Sequence, residues 1–341
     1  MTFKSNTDLK NIRFLNASNN LQEINEKYLE SLKRISDVKI DEETYNKMID
    51  ELKNNKFEFK INLQEQNYIN NISENRVLEY LIYRYRFKEY PKKKIDTDFP
   101  IYVLIEPVSS CNLKCPICFQ SDKSFIKKDF MGKMNFDLYK KIIDECETNG
   151  TKAITFGSRG EPTIHPQIKE MLEYASGKFL DIKLITNATK LTDELIHTIF
   201  KCNLQQVVFS IDSEEKETYE RLRKFAKYES VLSNVKKYNQ IKKTYKNNKT
   251  VTRIAGVKVE KQQNEASFYK FWSNYSDEVV FKEAFSRWDT YNNDVLEDFL
   301  EPCNYIWERM YVWFDGKVNP CDADYKSYLS YGNVKNNTIK E

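Results

Sequence analysis

No run of apolar residues in this chain is long enough to cross a bilayer, and the N-terminus carries no basic-then-apolar signal-peptide pattern. A membrane span is therefore not expected, and the cytoplasm is the expected compartment. An excess of one charge sign is missing too: 54 Lys and Arg against 51 Asp and Glu leave a net +3. That balance gives no argument for a nucleic-acid or membrane-surface partner. Glycine and proline are scarce, eight of each; beside abundant Lys and Asn this points to an AT-rich coding sequence more than to a mechanism. Histidine is scarcer still. His165 and His197 stand alone, neither with a partner at metal-ligand spacing, and structural roles are expected for both. There are no repeats and no low-complexity segments. At 341 residues the chain can bury a large core, enough for one catalytic domain with additions.

Cysteine is present in odd number, seven in all. In a cytosolic chain that favours reduced thiols and metal ligation over disulfides. Three of the seven, Cys111, Cys115 and Cys118, fall in the stretch Cys-Asn-Leu-Lys-Cys-Pro-Ile-Cys. A structural zinc site gathers two Cys-x-x-Cys pairs, or one pair with two histidines. Here no fourth ligand lies nearby. Three thiolates suit a [4Fe-4S] cluster in which one iron keeps an open position, and an open iron can bind a substrate or cofactor directly. A zinc knot or buried free cysteines is the alternative. Cys146 shares a helical face with Leu138, Ile142 and Ile143 and reads as a core thiol, as does Cys202.

Residues 1–95 have helical periodicity. Leu21, Ile24, Tyr28, Leu32 and Ile35 follow Asn20 as a cap; Tyr45, Met48, Ile49 and Leu52 follow Asp41; Val77, Leu78, Leu81, Ile82 and Tyr85 follow Ser73. Lys92-Lys93-Lys94 behind Pro91 reads as a linker. The region is either a docking element or a helical flank packed on the rest. From Phe99 the pattern becomes short apolar strands alternating with amphipathic helices, the mark of a parallel α/β sheet. Strands are expected at Ile101–Glu106, Lys152–Phe156, Asp181–Ile185, Gln206–Ile211, Arg253–Val259 and Glu278–Phe281. Helices are expected at Phe136–Cys146, Gln167–Ala175, Asp193–Phe200, Tyr219–Tyr245 with a break, and Ala266–Asn274. The cysteines then lie on the loop after the first strand's carboxyl end, where α/β folds collect active sites.

Further motifs stand at later strand ends. Gly157-Ser158-Arg159-Gly160-Glu161-Pro162 follows the second strand; its glycines allow close approach of a ligand, and Glu161 can accept hydrogen bonds from an ammonium group. Thr186-Asn187-Ala188 closes the third strand and Ser210-Ile211-Asp212-Ser213 the fourth. Near the C-terminus, Cys303 and Cys321 flank an Asp315-Gly316 hairpin turn. These two are either metal ligands or small apolar groups packed on Trp307 and Trp313.

The C-x3-C-x2-C spacing, with these strand-end motifs in this order, resembles the radical S-adenosylmethionine (radical SAM) superfamily. The C-x12-G-x4-C hairpin resembles the opening of its SPASM and twitch extensions. The resemblance covers about residues 99–285 and implies an α/β fold, a partial (β/α)6 TIM-like barrel. A helical region would precede it at 1–98, and a small SPASM/twitch-like hairpin segment would follow at 286–341. It implies a [4Fe-4S] cluster on Cys111, Cys115 and Cys118, whose open iron chelates S-adenosylmethionine. An electron from the cluster would cleave that cofactor to a 5′-deoxyadenosyl radical, which abstracts a hydrogen atom from the substrate. Gly160 and Glu161 would hold the methionine ammonium group. Asn187, Ser210 and Asp212 would bind ribose and carboxylate, and Arg223 the carboxylate, unless it is a surface helix arginine. Phe119 would pack on the adenine, and Gly256 would let the adenine approach the backbone.

The chain departs from the family pattern at Ile117, where an aromatic is usual, and at Arg159, in place of the first glycine of Gly-Gly-Glu. Cys303 and Cys321 imply an auxiliary iron–sulfur cluster. The family pattern needs further cysteines downstream, and the expectation is that this sequence is a truncated form. The implied partners are S-adenosylmethionine, a one-electron donor such as flavodoxin or ferredoxin, and a substrate among peptides, protein side chains, sugars or alcohols. No winged-helix leader-peptide binder is visible in the N-terminal helices. The competing class is a non-catalytic iron–sulfur or zinc-binding protein, for which Glu161 would be dispensable.

Overall fold

The computed structural model describes residues 24–284, 290–292 and 301–341. Among the described residues, four helices come first: α1 (Glu26–Ile35), α2 (Glu42–Lys53), α3 (Leu63–Ile69) and α4 (Val77–Lys93). Then β1 (Tyr102–Ile105), α5 (Phe136–Thr148), β2 (Ala153–Phe156), α6 (Ile168–Ala175), β3 (Asp181–Thr186) and α7 (Asp193–Lys201) alternate. They continue as β4 (Gln206–Ser210), α8 (Lys216–Leu222), α9 (Tyr228–Lys242), β5 (Val251–Lys258), α10 (Glu265–Trp272) and β6 (Glu278–Glu283). A short α11 (Tyr305–Glu308) leads into β7 (Met310–Val312), β8 (Lys317–Asn319) and β9 (Gly332–Asn333).

Among the described residues, one sheet holds nine strands in the order β6-β5-β4-β3-β2-β1-β7-β8-β9. Strands β1 to β6 pair in parallel with their sequence neighbours. This is the open, partial (β/α)6 barrel. Every residue of β1 and β2 is buried, as expected of strands covered on both faces. In β3 the burial alternates: Ile182 and Leu184 enter the main core, while Asp181, Lys183 and Ile185 face the other side. The C-terminal hairpin is no detached appendage. Its strand β7 pairs in parallel with β1, Val103 opposite Met310 and Ile105 opposite Val312, so it extends the barrel sheet. The turn between β7 and β8 uses Gly316 at φ 84°, where a side chain would be strained.

The N-terminal helices seal the barrel at its amino end. Lys152, just before β2, pairs with Glu79 of α4 at 2.8 Å. Gln64 of α3 donates to Glu278 of β6 at 3.0 Å. Tyr68 donates to the Leu180 carbonyl. Tyr102, Ala153 and Leu180 join the apolar cluster of these helices. These contacts pack the region on the barrel at the end away from the cysteines.

Three expectations need correction. Asn20 and Leu21 lie outside the described residues, and α1 is capped by Asn25, whose side chain accepts from the Tyr28 N–H. Ser73 starts a single 3-10 turn without a side-chain cap. Lys92 and Lys93 are no linker, because α4 runs through Pro91 and ends only at Lys94, in the left-handed region. Pro91 has no N–H to give the Phe87 carbonyl, and the helix ends three residues later. The expected break in the long helix is real, and residues 223–227 occupy it between α8 and α9. Parts of the expected C-terminal segment, residues 286–289 and 293–300, lie outside the described residues. Among the described residues, no helix is long and apolar enough to cross a membrane.

Candidate functional site

The three cysteines lie on the loop leaving the carboxyl end of β1. The base of the loop is fixed by Ser109, whose N–H donates to the Gly132 carbonyl at 3.1 Å and whose Oγ accepts from the Gly132 N–H at 2.8 Å. Its tip is fixed by Lys114, whose N–H donates to the Lys224 carbonyl in the α8–α9 break at 3.1 Å. The Ser121 hydroxyl donates to the Cys115 carbonyl at 2.8 Å. Cys115 is buried, and Cys111 and Cys118 are partly exposed.

Burial pushes the Cys111 thiol up to about 12, with the Glu161 carboxylate and the other two cysteines adding to it. Burial raises Cys115 as well, while the Arg223 guanidinium opposes the shift. Bare, these thiols keep their protons; positive irons are what would make them thiolates. Among the described residues, no group of three or more His, Cys, Asp or Glu converges on one metal-ion position. A zinc knot needs such convergence, whereas a cubane takes one thiolate per iron and spreads its ligands. The donor set fits the cubane.

Glu161 sits across the loop, 3% exposed. Its Oε1 accepts from the Thr163 N–H at 3.1 Å, the Thr163 hydroxyl at 2.7 Å and the Thr186 hydroxyl at 2.6 Å. Its Oε2 accepts one bond, from the Asn187 N–H at 2.7 Å. Burial raises its pKa against the pull of those donors. Oε2 retains capacity for a cationic donor, since a carboxylate offers about four acceptor sites. The Asn187 side chain bridges toward the cysteines, donating to Asn112 Oδ1 at 3.0 Å and lying 3.8 Å from Cys111 Sγ.

Asp212 and Arg223 form a bidentate pair, Nε–Oδ2 2.5 Å and Nη2–Oδ1 2.9 Å. Arg223 is thus no surface helix residue: its side chain is 16% exposed and reaches the cysteine loop. Asp212 also accepts from the Val257 N–H at 3.1 Å, tying β4 to β5. Ser210 ends β4 beside this pair, partly buried.

Several expected residues are placed otherwise. The Phe119 ring is stacked on Tyr325 (5.1 Å between centroids, 19° between planes) and edge-on to Phe125, so it is committed to the C-terminal segment and not open to an adenine. Gly160 lies against the chain's own backbone: a Cβ there would lie 2.0 Å from the Val108 carbonyl oxygen. At Gly256 a Cβ would meet the Ile211 carbonyl oxygen at 2.6 Å and Phe268 at 2.7 Å, so the protein's own atoms fill that space too. Cys303 is exposed, which rules out its packing as a small apolar group, and Trp313 is buried with Leu104 and Tyr311. Burial first, and then the nearby Asp322 carboxylate, raises the Cys321 thiol. His165 is structural, bridging the Met134 carbonyl and the Gln167 N–H, each at 3.1 Å. Cys146 and Cys202 are core thiols.

Arg159 was visible in the sequence only as a departure. Its guanidinium is buried against Glu106, with Nη1 donating to the Tyr325 carbonyl at 2.7 Å and the group lying 4.3 Å over the Trp313 ring. Its own carbonyl accepts from Gln120 Nε2 at 2.7 Å, and the same amide donates to the Ser109 carbonyl at 2.6 Å. Arg159 therefore joins three things: the cysteine loop, the loop after β2 and the C-terminal segment. Partners 53 and 166 residues away leave no local signal.

The barrel, the loop at its carboxyl end and the C-terminal hairpin define a class that comparison with known proteins identifies. The family model for the radical SAM superfamily matches residues 105–271, and the SPASM model, an iron–sulfur cluster-binding domain, matches residues 303–341. The chain belongs to the radical SAM superfamily, in its SPASM branch. It is similar to the tungsten-containing aldehyde ferredoxin oxidoreductase cofactor-modifying protein of Pyrococcus furiosus, 36% identical over 112 residues, which are 33% of this chain and 30% of that protein. It is similar to the PqqA peptide cyclase of Bradyrhizobium diazoefficiens, 32% identical over 124 residues, 36% of this chain and 31% of that protein. The matched stretch thus spans about a third of the length of these curated relatives. The crystal structure of Streptococcus suis SuiB bound to S-adenosylmethionine shares the fold, with a TM-score of 0.55, 16% identity and coverage of 81% of this chain and 74% of that one.

Proposed function

We propose that this chain is a radical SAM enzyme that abstracts a hydrogen atom from a peptide substrate. The observation that carries the proposal is the cysteine loop set opposite the Glu161–Thr186–Asn187 cage at the carboxyl end of the barrel. Cys111, Cys115 and Cys118 would hold three irons of a [4Fe-4S] cluster, leaving the fourth for S-adenosylmethionine. When bound, cluster and cofactor together supply a one-electron reductive cleavage that yields a hydrogen-atom abstractor.

The protein's own groups bind and orient. Glu161 Oε2 takes the cofactor's ammonium group, and the two threonine hydroxyls and two backbone N–H groups around the carboxylate keep it aimed. Arg223 holds Asp212 through Nε and Nη2 and also reaches Cys115, which sets its guanidinium beside the cysteine loop, placed to pair with a carboxylate. Asn187 positions Cys111 through the contact with its sulfur. Cys303 and Cys321 supply two ligands toward an auxiliary cluster, consistent with the domain model that covers them. The peptide class is supported by the name of the PqqA peptide cyclase and by SuiB, whose structure is also described bound to the precursor peptide SuiA.

The test is anaerobic incubation of reconstituted, reduced protein with S-adenosylmethionine. Formation of methionine and 5′-deoxyadenosine is expected; intact cofactor under reducing conditions would contradict the proposal. Peptides encoded beside the gene, followed by mass spectrometry, test the substrate class.

A further inference from the structure

The break between α8 and α9 closes as a tight turn, in which the Ala226 N–H donates to the Arg223 carbonyl at 2.8 Å. Its ends are fixed. Leu222 and Ala226 are buried, and Arg223 is clamped to Asp212. The Lys224 carbonyl accepts from the Lys114 N–H of the cysteine loop at 3.1 Å. The residue left to turn the chain is Phe225, at φ 77°, in the left-handed region that favours glycine. A phenylalanine holds that backbone only under strain, and such strain gathers at functional sites. Burial does not offset it: Phe225 is 68% exposed, and the cation over its ring is its own neighbour Lys224, at 5.7 Å. A lone exposed apolar residue is ordinary, but one kept where glycine would serve is destabilising in the isolated chain.

The turn is basic and adjoins the cysteines. Arg221, Arg223, Lys224 and Lys227 lie in residues 221–227, a stretch without an acid. Arg221 pairs with Glu260 and Arg223 with Asp212. Lys224 and Lys227 are exposed and form no ion pair among the described residues. Of the flanking acids, Glu220 accepts from the Tyr228 N–H at 3.0 Å, and Glu229 sits in the first turn of α9. Lys114 stands next to Cys115, Arg223 reaches the same cysteine, and Pro116 just after it is exposed. The cysteine loop therefore comes to the surface where the strained ring stands.

We infer that this turn is the docking surface for an acidic one-electron donor protein, with Phe225 as its apolar anchor and Lys224 and Lys227 as its charged rim. The inference rests on the function proposed above, whose chemistry consumes one electron for each cofactor cleaved. The donor's reduced flavin or iron–sulfur group gives up that electron and is oxidised by one; the electron passes to the cluster, and no bond forms between the two proteins. Electron transfer weakens steeply with distance, so the donor has to seat where the cysteine loop comes to the surface. An aromatic side chain at the centre of a patch carries binding energy when a partner covers it. Unpaired lysines around it steer an acidic partner and fix its orientation. Docking buries the ring, which supplies the gain that the isolated chain lacks.

Two variants test this: Phe225→Gly, which removes both ring and strain, and the double change Lys224→Glu, Lys227→Glu. The probes are the flavodoxins and ferredoxins encoded in the same genome. Calorimetric titration of each into the anaerobically reconstituted parent should find a donor that binds, more weakly as salt is raised. Phe225→Gly should bind that donor about five- to thirtyfold more weakly. The double variant should also bind it more weakly, with a flatter salt dependence. In melts without the donor, the glycine variant should melt at or above the parent; melting below it overturns the strain argument. With dithionite, a small reductant that needs no docking surface, both variants should form 5′-deoxyadenosine at the parent's rate and hold equal iron. Parent-like donor affinity in Phe225→Gly, or no donor bound by the parent, overturns the surface. An equal loss of rate with dithionite and with the donor overturns it too, because the ring then serves the substrate. A parent that cleaves no cofactor even with dithionite overturns the proposed function, a failure told apart from that of the surface because calorimetry reads donor binding by itself.

Discussion

Arg159 and Glu106 form a bidentate ion pair, 2.6 and 2.5 Å, between the carboxyl ends of β2 and β1, with side chains 2% and 0% exposed. Desolvating both charges is costly, so the pair gains only from close geometry and from extra bonds that satisfy its remaining atoms. Those extra bonds come from the C-terminal segment: the Tyr325 carbonyl accepts from Nη1, and the Phe314 N–H donates to Glu106 at 3.3 Å. Removing one partner strands the other. Arg159→Met should therefore destabilise the apo chain by about 3–5 kcal/mol, read by chemical denaturation. The double change Arg159→Met, Glu106→Leu should recover most of that loss, and additive losses would contradict the account.

The cofactor contact at Glu161 has its own signature. Glu161→Gln replaces one acceptor oxygen with a donor facing an existing N–H or hydroxyl. Loss of a charged hydrogen-bond partner costs about 1.5–3 kcal/mol, so S-adenosylmethionine should bind roughly ten- to hundredfold more weakly. Iron content should be unchanged. Unaltered affinity in calorimetry would place Glu161 outside the binding site.

Acid should loosen the clasp between the cysteine loop and the C-terminal segment. Burial opposes ionisation of Asp122, but Ser124, Tyr325 and Lys326 outweigh it and hold its pKa well below the usual carboxylate range. The Tyr325 hydroxyl donates to it at 2.8 Å, and Lys326 lies at 3.1 Å. A depressed carboxylate contributes stability that is complete above its unfolded pKa of about 4 and is lost as pH falls through the folded value. Melting of the apo chain should thus show no pH dependence from this group between pH 7 and pH 5, where its contribution is complete. Below about pH 4 stability should fall more steeply in the parent than in Asp122→Asn. Parallel acid profiles would refute the role.

Cys303 and Cys321 offer a further test. If they serve an auxiliary cluster, a Cys303→Ser, Cys321→Ser variant loses one cluster's worth of iron while cofactor cleavage at the first site persists. Full iron retention would refute the auxiliary site.

How legible these features were depended on distance along the chain. The cysteine triad, Glu161, Asn187 and Asp212 were visible because each sits in a short motif at a strand end, where the period of the fold places it. The glycines were visible as glycines, but what crowds them was not. Gly160 and Gly256 make room for the protein's own carbonyls and rings, and sequence does not say which neighbour needs the space. Phe119 was visible as an aromatic next to the cysteines, yet its stacking partner Tyr325 lies in another part of the chain. The run of α4 through Pro91 escaped because packing, with Tyr90 and Pro91 buried, overrides the local signal of proline.

The central claim is a [4Fe-4S] cluster on Cys111, Cys115 and Cys118 with an iron open to S-adenosylmethionine. Electron paramagnetic resonance of the anaerobically reconstituted, reduced protein tests it most directly, before and after the cofactor is added. The account predicts a cluster signal that shifts on addition and disappears in the triple cysteine-to-alanine variant, apart from any auxiliary signal. A zinc-only protein, or a cluster signal blind to S-adenosylmethionine, would contradict it.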